Sequence, residues 1–196
     1  MVADSAIHLP RFLVADAGRN GTSPPPGLDA AILLRNTDLA ALIDAALSAE
    51  TPPAVDLDTV RGLGSDEAAV DFLRRRLSIR IVLTRRPQAA SAFAALGGLA
   101  LLHVLAFDST GLRRSLQSHP RTGRIGTVIS PGLVLTHMLP SEVALLVRPV
   151  VAYGLLSTPD EVQACLERAD AVAIAPDLAE RVAAGGGTHG AGIARR

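Results

Sequence analysis

The chain contains no lysine and no tryptophan. Without lysine there is no Schiff base, which removes class I aldolase chemistry. There is also no Walker A loop, whose lysine reaches the nucleotide phosphates. Any bound anion must be held by arginine, backbone N–H groups or hydroxyls. Cysteine is nearly absent too. Cys165 stands alone, which excludes an intramolecular disulfide and a multi-cysteine zinc site. It falls at helical spacing in EVQACLERAD and reads as a buried, inert thiol, in keeping with a reducing compartment. Aromatic residues make up 3% of the chain against 48% hydrophobic residues, so alanine, valine, leucine and isoleucine must build the core. That palette suits buried parallel strands covered by alanine-rich helices. No run approaches the ~20 apolar residues of a membrane span. The best stretch, 89–105, is broken by Ser91, Gly97, Gly98 and His103. No basic region precedes an apolar one at the N-terminus, as a signal peptide would require. The expectation is a cytoplasmic protein with no membrane partner.

What is present is a rhythm. The 196 residues fit one domain and need no covalent staple. Short β-branched runs at 31–34, 53–57, 79–83, 99–107, 125–129, 149–152 and 171–174 alternate with helix-period segments at 37–47, 66–77, 88–96, 110–117, 140–147, 159–168 and 177–184. Thr37 and Thr158 are the expected helix caps, and Pro87 and Pro159 open their helices at the first position. An eighth strand fits within 6–14. Such alternation predicts parallel strands with helical crossovers. It does not by itself separate a closed barrel from an open doubly wound sheet. No glycine-rich dinucleotide fingerprint follows the first strand, and seven or eight units in so short a chain favour a single (β/α) TIM-barrel-like domain over residues 1–184. Residues 20–27 (NGTSPPPG) read as a flexible insertion and 185–196 as a disordered, low-complexity tail.

In a barrel, ligand groups gather at the C-terminal strand ends. Those positions hold Asp56 and Asp58, then Thr84, Arg85 and Arg86, then His103 with Asp108, Ser109 and Thr110. Ser130, Pro131 and Gly132 follow the next strand, then Tyr153 and Gly154, then Ala175 and Pro176. Arginines, hydroxyls and glycine-bearing turns suit a small phosphate ester. Taken singly, each of these residues is as well explained as a solvated loop residue, turn residue or helix cap. Asp56, Asp58 and Asp108 lack any dedicated metal spacing, and the five histidines show no paired-ligand pattern, so neither metal nor cofactor is expected. Ser109 in DSTG is not a nucleophile elbow, and no catalytic residue is assigned.

Five segments, in order, resemble the glycerol-3-phosphate-responsive antiterminators, a family of RNA-binding regulators. DLDTVRGLGSDEAAVDFL resembles a D-L-x-x-G turn with a second aspartate, through Asp58, Gly62, Asp66 and Phe72. Thr84 and Arg85 match an S-T-R element, and Asp108 and Ser109 in FDSTGL match L-D-T/S-x-x-L. Pro131 and Gly132 match I-L-P-G, while Gly154, Leu155 and Asp160 match A-G-G-L/F-I-x-T-x-E-D-V. The match runs over about residues 30–175.

The resemblance implies a barrel fold, glycerol 3-phosphate as effector, its phosphate near Gly154, and binding to the mRNA leader of glycerol genes. The implied ligand set is Asp58, Gly62, Thr84, Arg85, His103, Asp108, Ser109, Pro131, Gly132, Tyr153, Gly154 and Leu155. Six positions depart from the family pattern: Asp56, His103, Val128, Tyr153, Ala175 and Pro176 replace a histidine, an arginine, a glutamate, a glycine and two hydroxyl residues. Tyr153 would crowd a phosphate.

For RNA, the arginines Arg74, Arg75, Arg113 and Arg114 are the candidate contacts, with Arg76, Arg80, Arg121 and Arg124 nearby; a solvated helix face explains Arg74–Arg76 equally well. Zero net charge and few aromatics argue against a surface that reads bases. The alternatives are a barrel enzyme acting on a phosphorylated metabolite, with Asp58 or Asp108 as acid–base, and a degenerate, non-catalytic barrel. A homodimer would suit either regulatory reading.

Overall fold

A computed structural model describes residues 7–16, 23–106, 108–121 and 123–185. Eight parallel strands close into a barrel in sequential order. They are β1 (Phe12–Asp16), β2 (Ala30–Leu34), β3 (Ala54–Asp56), β4 (Ile81–Thr84), β5 (Leu99–Leu105), β6 (Ile125–Ser130), β7 (Val150–Tyr153) and β8 (Ala171–Ile174). The pairing Phe12 with Val172 through Val14 with Ile174 seals the ring. The helices are α1 (Leu39–Ser48), α2 (Glu67–Asp71), α3 (Pro87–Ala95), α4 (Ser109–Gln117), α5 (Pro140–Val143), α6 (Pro159–Leu166) and α7 (Pro176–Gly185). The closed barrel, not the open sheet, is therefore the fold. The segment expected to form an insertion falls partly outside the described residues (17–22), as does the tail beyond Gly185.

Alternation along the strands makes three apolar compartments. Leu13, Leu33, Ile81, Leu83, Leu101, Val128 and Val151 point inward and fill the barrel, so its interior is a packed core and not a pore. The outward residues of β1, β6, β7 and β8 pack on α4 to α7. Those of β2 to β5 pack on α1 to α3, around Phe93, Leu73 and Leu42. Cys165 is fully buried and its Sγ lies 3.5 Å from the Gly132 carbonyl. Burial pushes its thiol up to about 11, which keeps it protonated at neutral pH.

Three element boundaries differ from the sequence reading for visible reasons. Asp38, not Thr37, caps α1; its carboxylate accepts the Ala41 amide at 3.0 Å while Thr37 is buried. The helix expected over 66–77 is capped by Asp66 but continues after Asp71 as a π-helical turn over Phe72–Arg76. That wide turn brings Leu73, Leu77 and Ile79 together onto the barrel. The helix expected over 140–147 ends at Val143. Beyond it Val147 exchanges both backbone groups with the Thr127 hydroxyl on β6, at 3.1 and 2.7 Å.

Candidate functional site

The inward phase of each strand continues past its apolar layer to the C-terminal mouth. On β2, Leu33 is followed two residues later by Arg35, and on β3, Ala54 is followed by Asp56 and Asp58. His103 follows Leu101 on β5, and Tyr153 follows Val151 on β7. The Arg35 guanidinium lies 5.1 Å from the centre of the Tyr153 ring. His103 meets the same ring edge-on, with centroids 5.4 Å apart. Tyr153 is thus held between a cation and an imidazole.

One side of the mouth is organised by Asp58. Its side chain is only 4% exposed. The Thr84 hydroxyl donates to it, 3.2 Å from each carboxylate oxygen, and so does the Arg85 amide. The Arg85 and Arg86 guanidiniums lie 3.5 and 3.3 Å from it and remain largely exposed. One buried carboxylate therefore fixes two arginines, leaving the β4 rim net positive. Thr84 in turn accepts the Arg86 amide at 3.1 Å, which sets the entry to α3.

The electrostatics of the mouth follow from burial. Asp56 is 4% exposed. Its carboxyl is pushed up to about 6 by loss of hydration; Asp58 adds to the rise, while Arg35 and Arg85 oppose it. Burial also lowers His103 to about 4, against the pull of Asp58, so the imidazole is neutral at pH 7. Burial raises the Tyr153 phenol as well, which keeps it a hydrogen-bond donor. Two polar atoms here are buried without a hydrogen-bond partner: Arg35 Nε and Tyr153 Oη. Buried donors without partners are rare in folded proteins and mark a place where a ligand or water belongs.

The structure gathers Asp58, Thr84, Arg85, His103 and Tyr153 at this mouth, and the remaining described candidates lie in caps and turns that follow the strands. Asp108 is exposed and caps α4, accepting the Gly111 amide at 2.7 Å. The Ser109 side chain lies outside the described residues. Gly62 and Gly154 both have left-handed φ, +82° and +81°, and Leu155 shares that region at +54° while projecting into solvent. They shape turns. Gly132 packs against β7, where a Cβ would come within 2.6 Å of the Tyr153 amide nitrogen; Pro131 starts the turn that carries it. Arg35 is absent from the residues that the sequence singles out, and Asp56 enters there only at a strand end and as a departure from the family pattern. A signal for Arg35 does exist: it lies two residues beyond Leu33, in the same inward phase.

Among the RNA candidates, Arg75 pairs with Asp71 at 2.7 Å. Arg74 has a buried Nε without a partner. Arg113 and Arg114 are exposed on α4.

A cavity of about 670 Å³ lies elsewhere, between β2 and α1, lined by Asp16, Ile32, Asp44, Glu50 and Pro53. Its three carboxylates argue against an anion there, and the mouth has the arginines. No helix among the described residues is long and apolar enough to cross a membrane.

Fold and mouth together define a (β/α)₈ barrel with an arginine-bearing, carboxylate-buttressed rim. Residues 29–177 match the family model described as glycerol-3-phosphate responsive antiterminator, and the chain belongs to that family. It is a glycerol-3-phosphate-responsive antiterminator, as the sequence resemblance implied. A glycerol uptake operon antiterminator-related protein from Thermotoga maritima superposes with a TM-score of 0.71 at 21% identity, over 88% of this chain and 99% of that one. A glycerol uptake operon antiterminator regulatory protein from Listeria monocytogenes gives 0.68 at 22% identity, over 83% and 90%. Phosphoribosyl anthranilate isomerase, solved with a reduced phosphorylated ligand, gives 0.56 at 11% identity, over 89% and 96%. No curated protein is matched by sequence.

Proposed function

We propose that the barrel mouth is the effector site, and that Arg35, Arg85 and Tyr153 receive the phosphate of glycerol 3-phosphate there. The observation that carries this reading is the pair of buried, unpartnered donors, Arg35 Nε and Tyr153 Oη, on side chains in contact at the mouth. An oxyanion would satisfy both, and charge-assisted hydrogen bonds from arginine are the strong kind. Asp56, buried beside them, is placed to accept from a glycerol hydroxyl. The site regulates and does not catalyse: Asp58 is committed to two arginines and a hydroxyl, which leaves it unfit as a proton carrier. Antitermination on an mRNA leader makes the cytoplasm its place of work.

Thermal denaturation with glycerol 3-phosphate, glycerol and inorganic phosphate tests the site. Glycerol 3-phosphate should raise Tm by several degrees at saturating concentration, glycerol should not, and phosphate should act weakly. Arg35→Gln and Arg85→Ala should each abolish the shift. A full shift retained in both variants would place the effector elsewhere.

A further inference from the structure

The zero net charge hides an uneven distribution. Between Phe72 and Ser141 the chain carries ten arginines and a single carboxylate, Asp108. The rest carries nine arginines and eighteen carboxylates. The arginine-rich stretch is also a contiguous part of the molecule: it spans the π-helical turn before β4, α3, α4 and strands β4, β5 and β6, which are neighbours in the ring. On this half of the barrel the uncompensated charge lies chiefly in Arg76, Arg80, Arg113, Arg114 and Arg121, since Arg75 pairs with Asp71 and Arg85 and Arg86 lie beside Asp58.

The arginines on this half are free to act outward. Arg76, Arg80, Arg113, Arg114 and Arg121 are exposed and make no ion pair among the described residues. α4 sits on β5 with Leu112 and Leu116 turned inward, so Arg113 and Arg114 face solvent. On this basis we propose that the outer face from the π-helical turn to α4 is a docking surface for base-paired RNA, gripped through its phosphates. The proposal rests on the antiterminator reading and adds the location and the form of the RNA.

Three observations select a duplex stem. Guanidinium groups match phosphate geometry and suit backbone recognition. Proteins that bind unpaired bases stack them on exposed aromatic rings, and this half has none to offer among the described residues: Phe93 is fully buried and Phe72 packs against the core. An anionic membrane would need apolar side chains to insert between the arginines. The exposed large hydrophobic residues, Leu47, Leu105, Leu139, Leu145 and Leu155, lie on neither the π-helical turn nor α4. Among the described residues, what remains is a polar, cationic surface without exposed rings, which fits the regular phosphate rows of an A-form helix.

Fluorescence anisotropy on the full chain tests this with two probes: an RNA hairpin of about 16 base pairs and an oligouridine with the same number of phosphates. The hairpin should bind about tenfold or more tightly, with a linear loss of affinity between about 50 and 200 mM salt. Arg113→Glu/Arg114→Glu should weaken the hairpin about tenfold or more and flatten the salt slope by about one unit for each phosphate no longer gripped. Arg181→Glu, on α7 against β1 across the barrel, should bind like the parent. Circular dichroism melting of each variant confirms that it is folded. An α4 variant that binds as well as Arg181→Glu overturns the location and leaves the RNA reading intact. Oligouridine bound as tightly as the hairpin, or phosphatidylserine vesicles bound more tightly than either, overturns the duplex assignment. A parent protein that binds neither RNA at about 50 mM salt sinks the RNA reading and this proposal together.

Discussion

Arg35 reaches from the end of β2 across the barrel mouth to lie 5.1 Å over the ring of Tyr153 at the end of β7. Two strands, β1 and β8, separate the two residues in the ring. Arg35 Nε and Tyr153 Oη are both buried without hydrogen-bond partners, which is a cost in the free protein.

Tyr153→Phe follows directly. Deleting a buried hydroxyl that lacks a partner should leave the free protein equally stable or raise its unfolding free energy by about 1 kcal/mol. The same change should shrink the thermal shift caused by glycerol 3-phosphate. Urea denaturation with and without effector measures both. A variant that loses stability but keeps the full shift would show that the hydroxyl serves the fold and not the ligand.

Asp58→Asn tests the rim. The carboxylate accepts from the Thr84 hydroxyl and the Arg85 amide and lies beside two guanidiniums. An amide keeps the shape but loses the charge and turns part of the acceptor into a donor. The expected loss is about 2–3 kcal/mol, since a buried acceptor for several donors is removed. Exposure of Arg85 and Arg86 screens their share, so most of the loss should persist at high salt. Loss confined to low salt would mean the ion pairs, not the buried hydrogen bonds, hold the rim.

Acid should act in opposite directions through Asp56 and His103. Asp56 is raised to about 6, so its folded form takes up a proton before the unfolded chain does; its penalty vanishes as pH falls from 6 toward 3.8. His103 is lowered to about 4, so the unfolded chain protonates first, and its contribution is lost as pH falls from 6.5 toward 4. Each is worth on the order of 3 kcal/mol over its window. His103→Gln should therefore gain stability relative to the parent between pH 7 and 4.5, and Asp56→Asn should lose it. Parallel pH profiles for the two variants would refute the assignment.

Gly132→Ala should destabilise with or without effector. The new Cβ would sit 2.6 Å from a β7 backbone nitrogen and 2.9 Å from the Ala152 carbonyl carbon, where only backbone movement can relieve it. About 1–3 kcal/mol is the usual cost of such overpacking. Calorimetry that shows unchanged Tm in the free protein would mean that β7 gives way to the methyl group without strain.

The sequence by itself determined the alternation, the inward and outward faces and the fold family. A strand of β-branched residues followed by a capped helix specifies itself within about 25 residues, through hydrogen bonds and hydrophobic periodicity. It located Asp58, Thr84 and Arg85 for the same reason: strand ends are local features. Tertiary structure decided which of those strand ends share a site. Asp108 caps its own helix and Gly132 packs on its neighbouring strand, while Arg35 joins Tyr153 only once the ring has closed. Net charge hid the other result, because charges far apart in sequence cancel in a sum but not on a surface, where distance and screening keep each face separate.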